Sequence, residues 1–131
     1  MKYVVIVILS LLSSINVSAQ KKEMIIRLSE IGGDSNYLNE YNELFRVEAE
    51  ASVRLEPGVI SIFPMYQKEN PGQVRILEIY ASKEAYESRL KTPHFLKYKT
   101  TTLKMVKSLK LIDMSVIDEE TMRKIFSKLN K

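Results

Sequence analysis

Apolar and polar positions divide the chain into short segments of two different periodicities. Residues 24–31 are rich in Ile and Leu and have the length of a strand, and residues 59–67 and 73–81 are two further segments of this kind. Residues 68–72 join the last two through a turn-forming cluster, so we expect those strands to be antiparallel neighbours. Residues 108–117 alternate between apolar and polar side chains, which predicts a final strand.

Helical periodicity fills the intervals between these strands. Residues 36–56 predict an amphipathic helix of about five turns that the Pro-Gly pair ends, and Gly32 and Gly33 should break the strand before it. Ser82 offers an N-cap for a short helix through residue 90, and Thr92-Pro93 begins a second helix that runs to about residue 107. The expected inner faces carry Leu38, Tyr41, Phe45, Ala49 and Ser52 on the first helix and Phe95, Tyr98, Thr102, Met105 and Leu109 on the last.

The resulting order, β-α-β-β-α-α-β, is typical of the ferredoxin-like α+β fold, the split βαβ arrangement. Helices would cover one face of its sheet and leave the other bare in a single chain. Because a bare apolar face is rarely left in water, we expect a homodimer.

The first residues form a separate region. Lys2, an apolar run over residues 3–12 and small polar residues up to Ala19 follow one another in the order of a secretory signal peptide. The run is short of the roughly 20 residues that span a bilayer. We therefore expect cleavage before Gln20 and a periplasmic or secreted protein, although the same Val and Ile residues could also build a buried first strand.

This predicts four regions: a signal peptide (1–19), a linker (20–23), one domain (24–117) and a polar C-terminal tail with weak helical character (118–131). The mature chain would have 112 residues, 131 less 19, which suits one domain with a modest core. With no Cys and a single His, the chain has no means for thiolate chemistry, disulfides or a His-cluster metal site. A carboxylate metal site is the alternative left open, but the carboxylates have no recognisable ligand spacing, so no metal is expected.

Charge adds a second constraint. The net charge of +4 is too small to indicate nucleic-acid binding, but residues 40–56 hold five acidic and two basic residues while residues 83–110 hold eight basic and two acidic ones. This pattern favours two solvated helix faces of opposite sign. A basic rim that attracts anionic or phenolate-like ligands is the alternative.

Three short motifs resemble the antibiotic-biosynthesis-monooxygenase family: E-I-Y-A-S-K-E-A-Y at 78–86, L-K-T-P-H-F at 90–95 and E-P-G-V at 56–59. The resemblance extends over residues 24–117 and is nearest to the quinol monooxygenases. It implies a dimeric α+β barrel that oxidises quinols or polyphenols with molecular oxygen and needs no flavin, haem or metal. Other relatives isomerise small hydroxyketones or degrade haem. The haem-degrading branch carries a Trp on the third strand, where this chain has Tyr80, which argues against haem degradation.

Two residues are the candidate catalytic groups. A neutral imidazole at His94, in the first turn of its helix, could take a proton from a phenolic hydroxyl, or it could merely cap the helix and face solvent. Glu78 and Tyr80 share one sheet face because they are two apart on a strand. Glu78 would orient His94 or bind a substrate hydroxyl, while Tyr80 lines the pocket; a structural pair of Glu78 with a nearby Arg or Tyr is the alternative.

The remaining candidate residues would bind substrate. Arg89 stands where many relatives have a His and could hold an anion or a carbonyl. Phe63, Met65 and Tyr98 would line the pocket, although such residues are more often plain core. The leading hypothesis is a cofactor-independent monooxygenase acting on a small quinol or polyphenol. The alternatives are a hydroxyketone isomerase and a non-catalytic dimeric binding module, and neither nucleic-acid binding nor stable membrane insertion after signal removal is expected.

Overall fold

The computed structural model describes residues 23–130, so the predicted signal peptide and residues 20–22 of the linker lie outside the described residues. The strands are β1 (Ile25–Gly33), β2 (Val59–Tyr66), β3 (Gln73–Tyr80) and β4 (Val106–Met114). The helices are α1 (Leu38–Leu55), α2 (Lys83–Arg89), α3 (Pro93–Thr102) and α4 (Glu119–Ser127). Short 3₁₀ turns occupy Ser35–Tyr37, Leu103–Met105 and Lys128–Asn130.

The four strands form one antiparallel sheet in the order β2-β3-β1-β4. This order confirms the predicted ferredoxin-like α+β fold and the predicted β2-β3 hairpin. The two strands at the edges, β2 and β4, each have one neighbour. A register shift between Val59 and Ser61 bends β2 near its start.

The helix α1 begins after Tyr37 and ends where Glu56 donates its backbone N–H to the carbonyl of Ser52. Its inner stripe packs on β2 and α3, with Tyr41 and Phe45 stacked at a centroid distance of 6.2 Å. As predicted, Tyr41, Phe45, Ala49 and Ser52 are buried. The core that they join also contains Ile31, Val59, Ile62, Val74, Ile76, Tyr80 and Met105.

Both predicted N-caps are present. The Ser82 hydroxyl accepts a hydrogen bond from the Ala85 N–H, and the Thr92 hydroxyl accepts one from the Phe95 N–H, with Pro93 opening α3. The last helical stretch ends at Met105 rather than near residue 107, because the chain must extend from there to pair β4 with β1. Leu109 therefore belongs to β4 and not to the helix, and its side chain is 60% exposed.

Two further expectations differ from the structure. The glycines do not break β1, which continues through Gly33; the backbone at Gly32 passes so close to the Ser108 side chain that a Cβ there would collide with it. The C-terminal tail forms a definite helix, α4, because the Asp118 carboxylate accepts the Glu120 N–H as an N-cap. No helix within residues 23–130 has the length and apolarity needed to cross a membrane.

The sheet has one covered face and one open face. Ile62 and Glu78 lie side by side on the helix-covered face. One residue further along each strand, side chains point to the opposite face, as the two-residue period of a strand requires. A row of apolar residues crosses all four strands on this open face: Phe63, Leu77, Leu28 and Ile112.

We propose that this open face forms the dimer interface. Phe63 is 58% exposed at the edge of the apolar row, so Phe63→Asp should place a charge in the interface and shift the protein to monomers. Light scattering of the wild type should give about twice the mass of the mature chain. Val47→Asp is the matched control, because Val47 is 51% exposed on α1. A wild type that stays monomeric at high micromolar concentration would contradict the proposal.

Candidate functional site

Three charged side chains meet under the helices, although they come from separate elements. Glu48 on α1, Glu78 on β3 and Arg89 at the end of α2 are 2%, 6% and 4% exposed. One guanidinium nitrogen of Arg89, Nη2, lies 3.0 Å from both carboxylate oxygens of Glu48. The other, Nη1, lies 3.4 Å from Oε1 of Glu78 and 3.1 Å from the Tyr80 hydroxyl. Arg89 thus joins α1 to β3.

Hydroxyl groups complete this cluster. Tyr80 donates to Oε1 of Glu78 at 2.5 Å, and Ser29 donates to the other oxygen of Glu78. Ser52 donates to Glu48 at 2.8 Å. Every one of these hydrogen bonds is donated to a carboxyl oxygen, so both carboxyl groups act as acceptors and share a single guanidinium.

Burial shapes the chemistry of the other members. It raises the pKa of Tyr80 far above its ordinary value, so this hydroxyl stays a donor. Burial opposes the charge of Arg89, yet the neighbouring Tyr80, Glu48 and Glu78 hold the pKa of its guanidinium above the usual value. The guanidinium also lies 4.8 Å from the ring centroid of Phe95, and its buried Nε has no hydrogen-bond partner in the described part of the chain.

A cavity of about 310 Å³ lies beside this cluster on the helix-covered face of the sheet. Ser29, Glu78, Arg89 and Thr102 supply its buried polar surface. Most of its wall is apolar and includes Ile31, Phe45, Ile76, Phe95, Leu109 and Leu111. Leu109 and Leu111 are exposed because they lie on an edge strand and face this cavity. Its size and composition are those of a small-molecule site.

Further polar side chains line the same cavity. Tyr98 shares a 2.7 Å hydrogen bond with Tyr41, and burial raises the pKa of Tyr98 to about 12. Arg27 is paired with Asp113 at 3.0 Å and lies over the ring of Tyr86. Lys99 is exposed and stands at the rim.

The structure brings together four of the predicted site residues. Glu78, Arg89 and Tyr98 line the cavity, and Tyr80 is buried directly behind it in contact with Glu78 and Arg89. The contacts of Glu78 match the alternative that paired it with an Arg or a Tyr. Within residues 23–130, no group of three or more His, Asp or Glu side chains is arranged to hold a metal ion.

The predicted pairing of Glu78 with His94 is not found. Nε2 of His94 lies 2.7 Å from Oε2 of Glu56, the residue that follows α1, whereas the oxygens of Glu78 contact Ser29, Tyr80 and Arg89. His94 also lies outside the set of residues that line the cavity. The first turn of α3 faces the end of α1, so the imidazole meets that carboxylate instead.

Phe63 and Met65 do not belong to this cavity either. They pair across the sheet with Leu77 and Arg75 and point to the open face, whereas Glu78 points to the covered one. They are therefore not part of the wall of this cavity, and their role in substrate binding stays a prediction. Because β2 is an edge strand, Met65 also reaches the border of a second cavity, of about 360 Å³, that α1 and β2 line.

Sequence reasoning missed Glu48, and a usable signal was present. Glu48 follows Phe45 by three positions and precedes Ser52 by four, so it lies on the same helical stripe as those buried residues. A carboxylate on a buried stripe needs a cationic partner. Ser29, by contrast, had no distinguishing signal on its strand.

Comparisons with known proteins identify the family. The sequence profile of the family "Antibiotic biosynthesis monooxygenase" matches residues 24–101. The chain therefore belongs to the antibiotic biosynthesis monooxygenase family, and its general function is monooxygenase-like. No protein of curated function matches it.

Solved structures agree with this assignment. A candidate antibiotic biosynthesis monooxygenase from Bacteriodes thetaiotaomicron is 48% identical, with a TM-score of 0.73, over 73% of this chain and 91% of that chain. A candidate monooxygenase from Lactobacillus acidophilus is 27% identical, with a TM-score of 0.69, over 72% of this chain and 46% of that one, so the match spans about half of its length. A protein from Nitrosomonas europaea, 18% identical with a TM-score of 0.68 over 73% and 92% of the two chains, shares the fold.

The buried cluster predicts a large effect of removing its cation. Arg89→Met leaves two carboxylates buried without their shared partner and should lower the free energy of unfolding by about 3–5 kcal/mol. Chemical denaturation measures this loss. Arg46→Met is the control, because Arg46 pairs with Glu43 on the exposed side of α1 and should matter by less than about 1 kcal/mol. Equal losses in the two variants would show that the cluster does not stabilise the fold.

Proposed function

We propose that this protein oxidises a small quinol or polyphenol with molecular oxygen, without a bound cofactor, in the cavity beside Glu78. The observation that carries the proposal is a hydrogen-bond-accepting carboxylate at the wall of an apolar cavity of about 310 Å³. An aromatic ring suits the apolar wall, and its hydroxyl would donate to Glu78. The family assignment and the 48% identical structure support the same class of reaction.

In the proposed reaction, the substrate supplies all of the electrons. Transfer of a hydroxyl proton toward Glu78 leaves an electron-rich anion that gives an electron to oxygen. One oxygen atom then enters the ring and the other leaves as water, so a quinol becomes a hydroxyquinone in a four-electron oxidation. The cavity contributes by orienting the ring and by excluding bulk water around the anion.

Glu78 suits the role of proton acceptor better than His94 does on geometric grounds. Four donated hydrogen bonds would saturate a carboxylate, and three are present, from Ser29, Tyr80 and Arg89. One acceptor position is therefore left for a substrate hydroxyl. A catalytic role of His94 stays a prediction.

Glu78 and His94 are the two candidates for the base, and each choice predicts a different result on mutation. Glu78→Gln should lower quinol-dependent oxygen uptake by about 10²- to 10⁴-fold, the usual worth of a positioned general base. His94→Ala should keep the rate within a few-fold, because its contact with Glu56 lies outside the cavity. Oxygen-electrode assays with a panel of quinols provide the measurement, and circular dichroism verifies that both variants fold.

The reverse pattern, with activity lost in His94→Ala and kept in Glu78→Gln, would return the base function to His94. If the wild type oxidises no quinol above the uncatalysed background, the monooxygenase proposal fails. Tight ligand binding without turnover would then favour the binding-module hypothesis.

We also propose export to the periplasm or medium, which the order of residues in the first 19 positions supports. Mass analysis of the mature N-terminus should find Gln20 as the first residue. Soluble cytoplasmic protein that retains Met1 would contradict this proposal.

A further inference from the structure

Two buried carboxyl groups share one guanidinium beside the cavity. Glu48 and Glu78 both pair with Arg89, which is the one cation within residues 23–130 that forms an ion pair with both of them. All three residues are more than nine-tenths buried. This buried group therefore holds one more carboxyl group than guanidinium group, in surroundings that screen charge weakly.

Cations nearer the rim do not remove this excess. Arg27 is already matched by Asp113, at 3.0 Å. Lys99 is exposed, so water and salt screen its field. A ligand that reaches Ser29 and Glu78 thus meets a surface that favours hydrogen-bond donors.

The position of Glu48 explains why Arg89 is not available to bind an anionic ligand. Both oxygens of Glu48 lie 3.0 Å from Nη2, and Nη1 is taken up by Tyr80 and Glu78. Both Nη groups, which would otherwise grip a carboxylate as a fork, are occupied from the protein side, and only the buried Nε has no partner in the described part of the chain. Glu48 itself does not line the cavity.

We propose that Glu48 determines the ligand class of this cavity: by occupying Arg89 with a buried carboxyl group, it makes the site select a neutral hydroxyl-bearing aromatic and exclude an aromatic carboxylate. Glu48 is a positioning residue, since it acts through Arg89. The inference rests on the proposed function only in taking this cavity as the substrate site.

The test compares two probes of similar size, hydroquinone and benzoate, near pH 7 and without oxygen, by calorimetry on the full chain. The wild type should bind hydroquinone at least about tenfold more tightly than benzoate. Glu48→Gln should lower that ratio about tenfold or more, mainly through tighter benzoate binding, because a fork of Arg89 is released. Glu48→Asp keeps the carboxyl group and should keep the exclusion of benzoate.

The control is Glu50→Gln, which makes the same change of net charge on the exposed side of α1, where Glu50 pairs with Arg54. It should leave the ratio unchanged. Lys99→Met tests whether benzoate binds to Lys99 at the rim instead of to Arg89. If benzoate binds more weakly to Lys99→Met and no more tightly to Glu48→Gln than to the wild type, the proposal is overturned.

Equal binding of both probes by the wild type also overturns it, and this measurement does not require Glu48→Gln to fold. Selective binding of hydroquinone without any oxygen uptake would preserve the inference about Glu48 while removing the proposed oxidation. The two failures are therefore distinguishable.

Discussion

Two carboxylates buried beside one guanidinium impose the central constraint on this protein. An unpaired charge in such a place is costly enough to offset much of the stability of a domain of this size, so Arg89 must contact Glu48 and Glu78 together. That requirement fixes the distance between α1, β3 and the end of α2. The same contacts set the polar side of the cavity, so the elements that stabilise the fold also position the site.

Hydroxyl groups help to stabilise the two buried carboxyl groups. Ser29, Ser52 and Tyr80 each give a hydrogen bond to a carboxylate, and apolar side chains surround them. A network in which the members are this well satisfied holds its groups in one geometry, which a proton-accepting site needs before the substrate arrives. The unpartnered Nε of Arg89 is the exception within the cluster.

Local features of the fold were predictable from the sequence, whereas the contacts between distant segments were not. The caps at Ser82 and Thr92 and the hairpin between β2 and β3 depend on neighbouring residues, and the structure confirms them. The face to which Phe63 points depends on strand register, where one residue of error exchanges the two faces. That is why an aromatic residue expected in the pocket lies on the open side of the sheet.

In the candidate site, too, local spacing was predictable from the sequence and long-range contacts were not. Glu78 and Tyr80 were correctly placed on one face because their spacing alone decides it. The partner of His94 could not be predicted, because Glu56 lies 38 residues away along the chain. In the sequence, Glu56 stood out only as the first residue of the E-P-G-V motif. Glu48 was recognisable from helical spacing, but its pairing with Arg89 depends on how α1 and α2 each pack against the sheet, which spacing does not give.

The exposed Leu109 and Leu111 on the edge strand have one more consequence. Their side chains form a wall of the cavity and stay more than a third exposed within residues 23–130, so the ligand-free protein leaves apolar surface in water that a bound ring would bury. An aromatic ligand would therefore act as a removable part of the hydrophobic core. Occupancy of the site and resistance to unfolding become one coupled equilibrium, in which the concentration of a small molecule in the surroundings sets how stable the domain is.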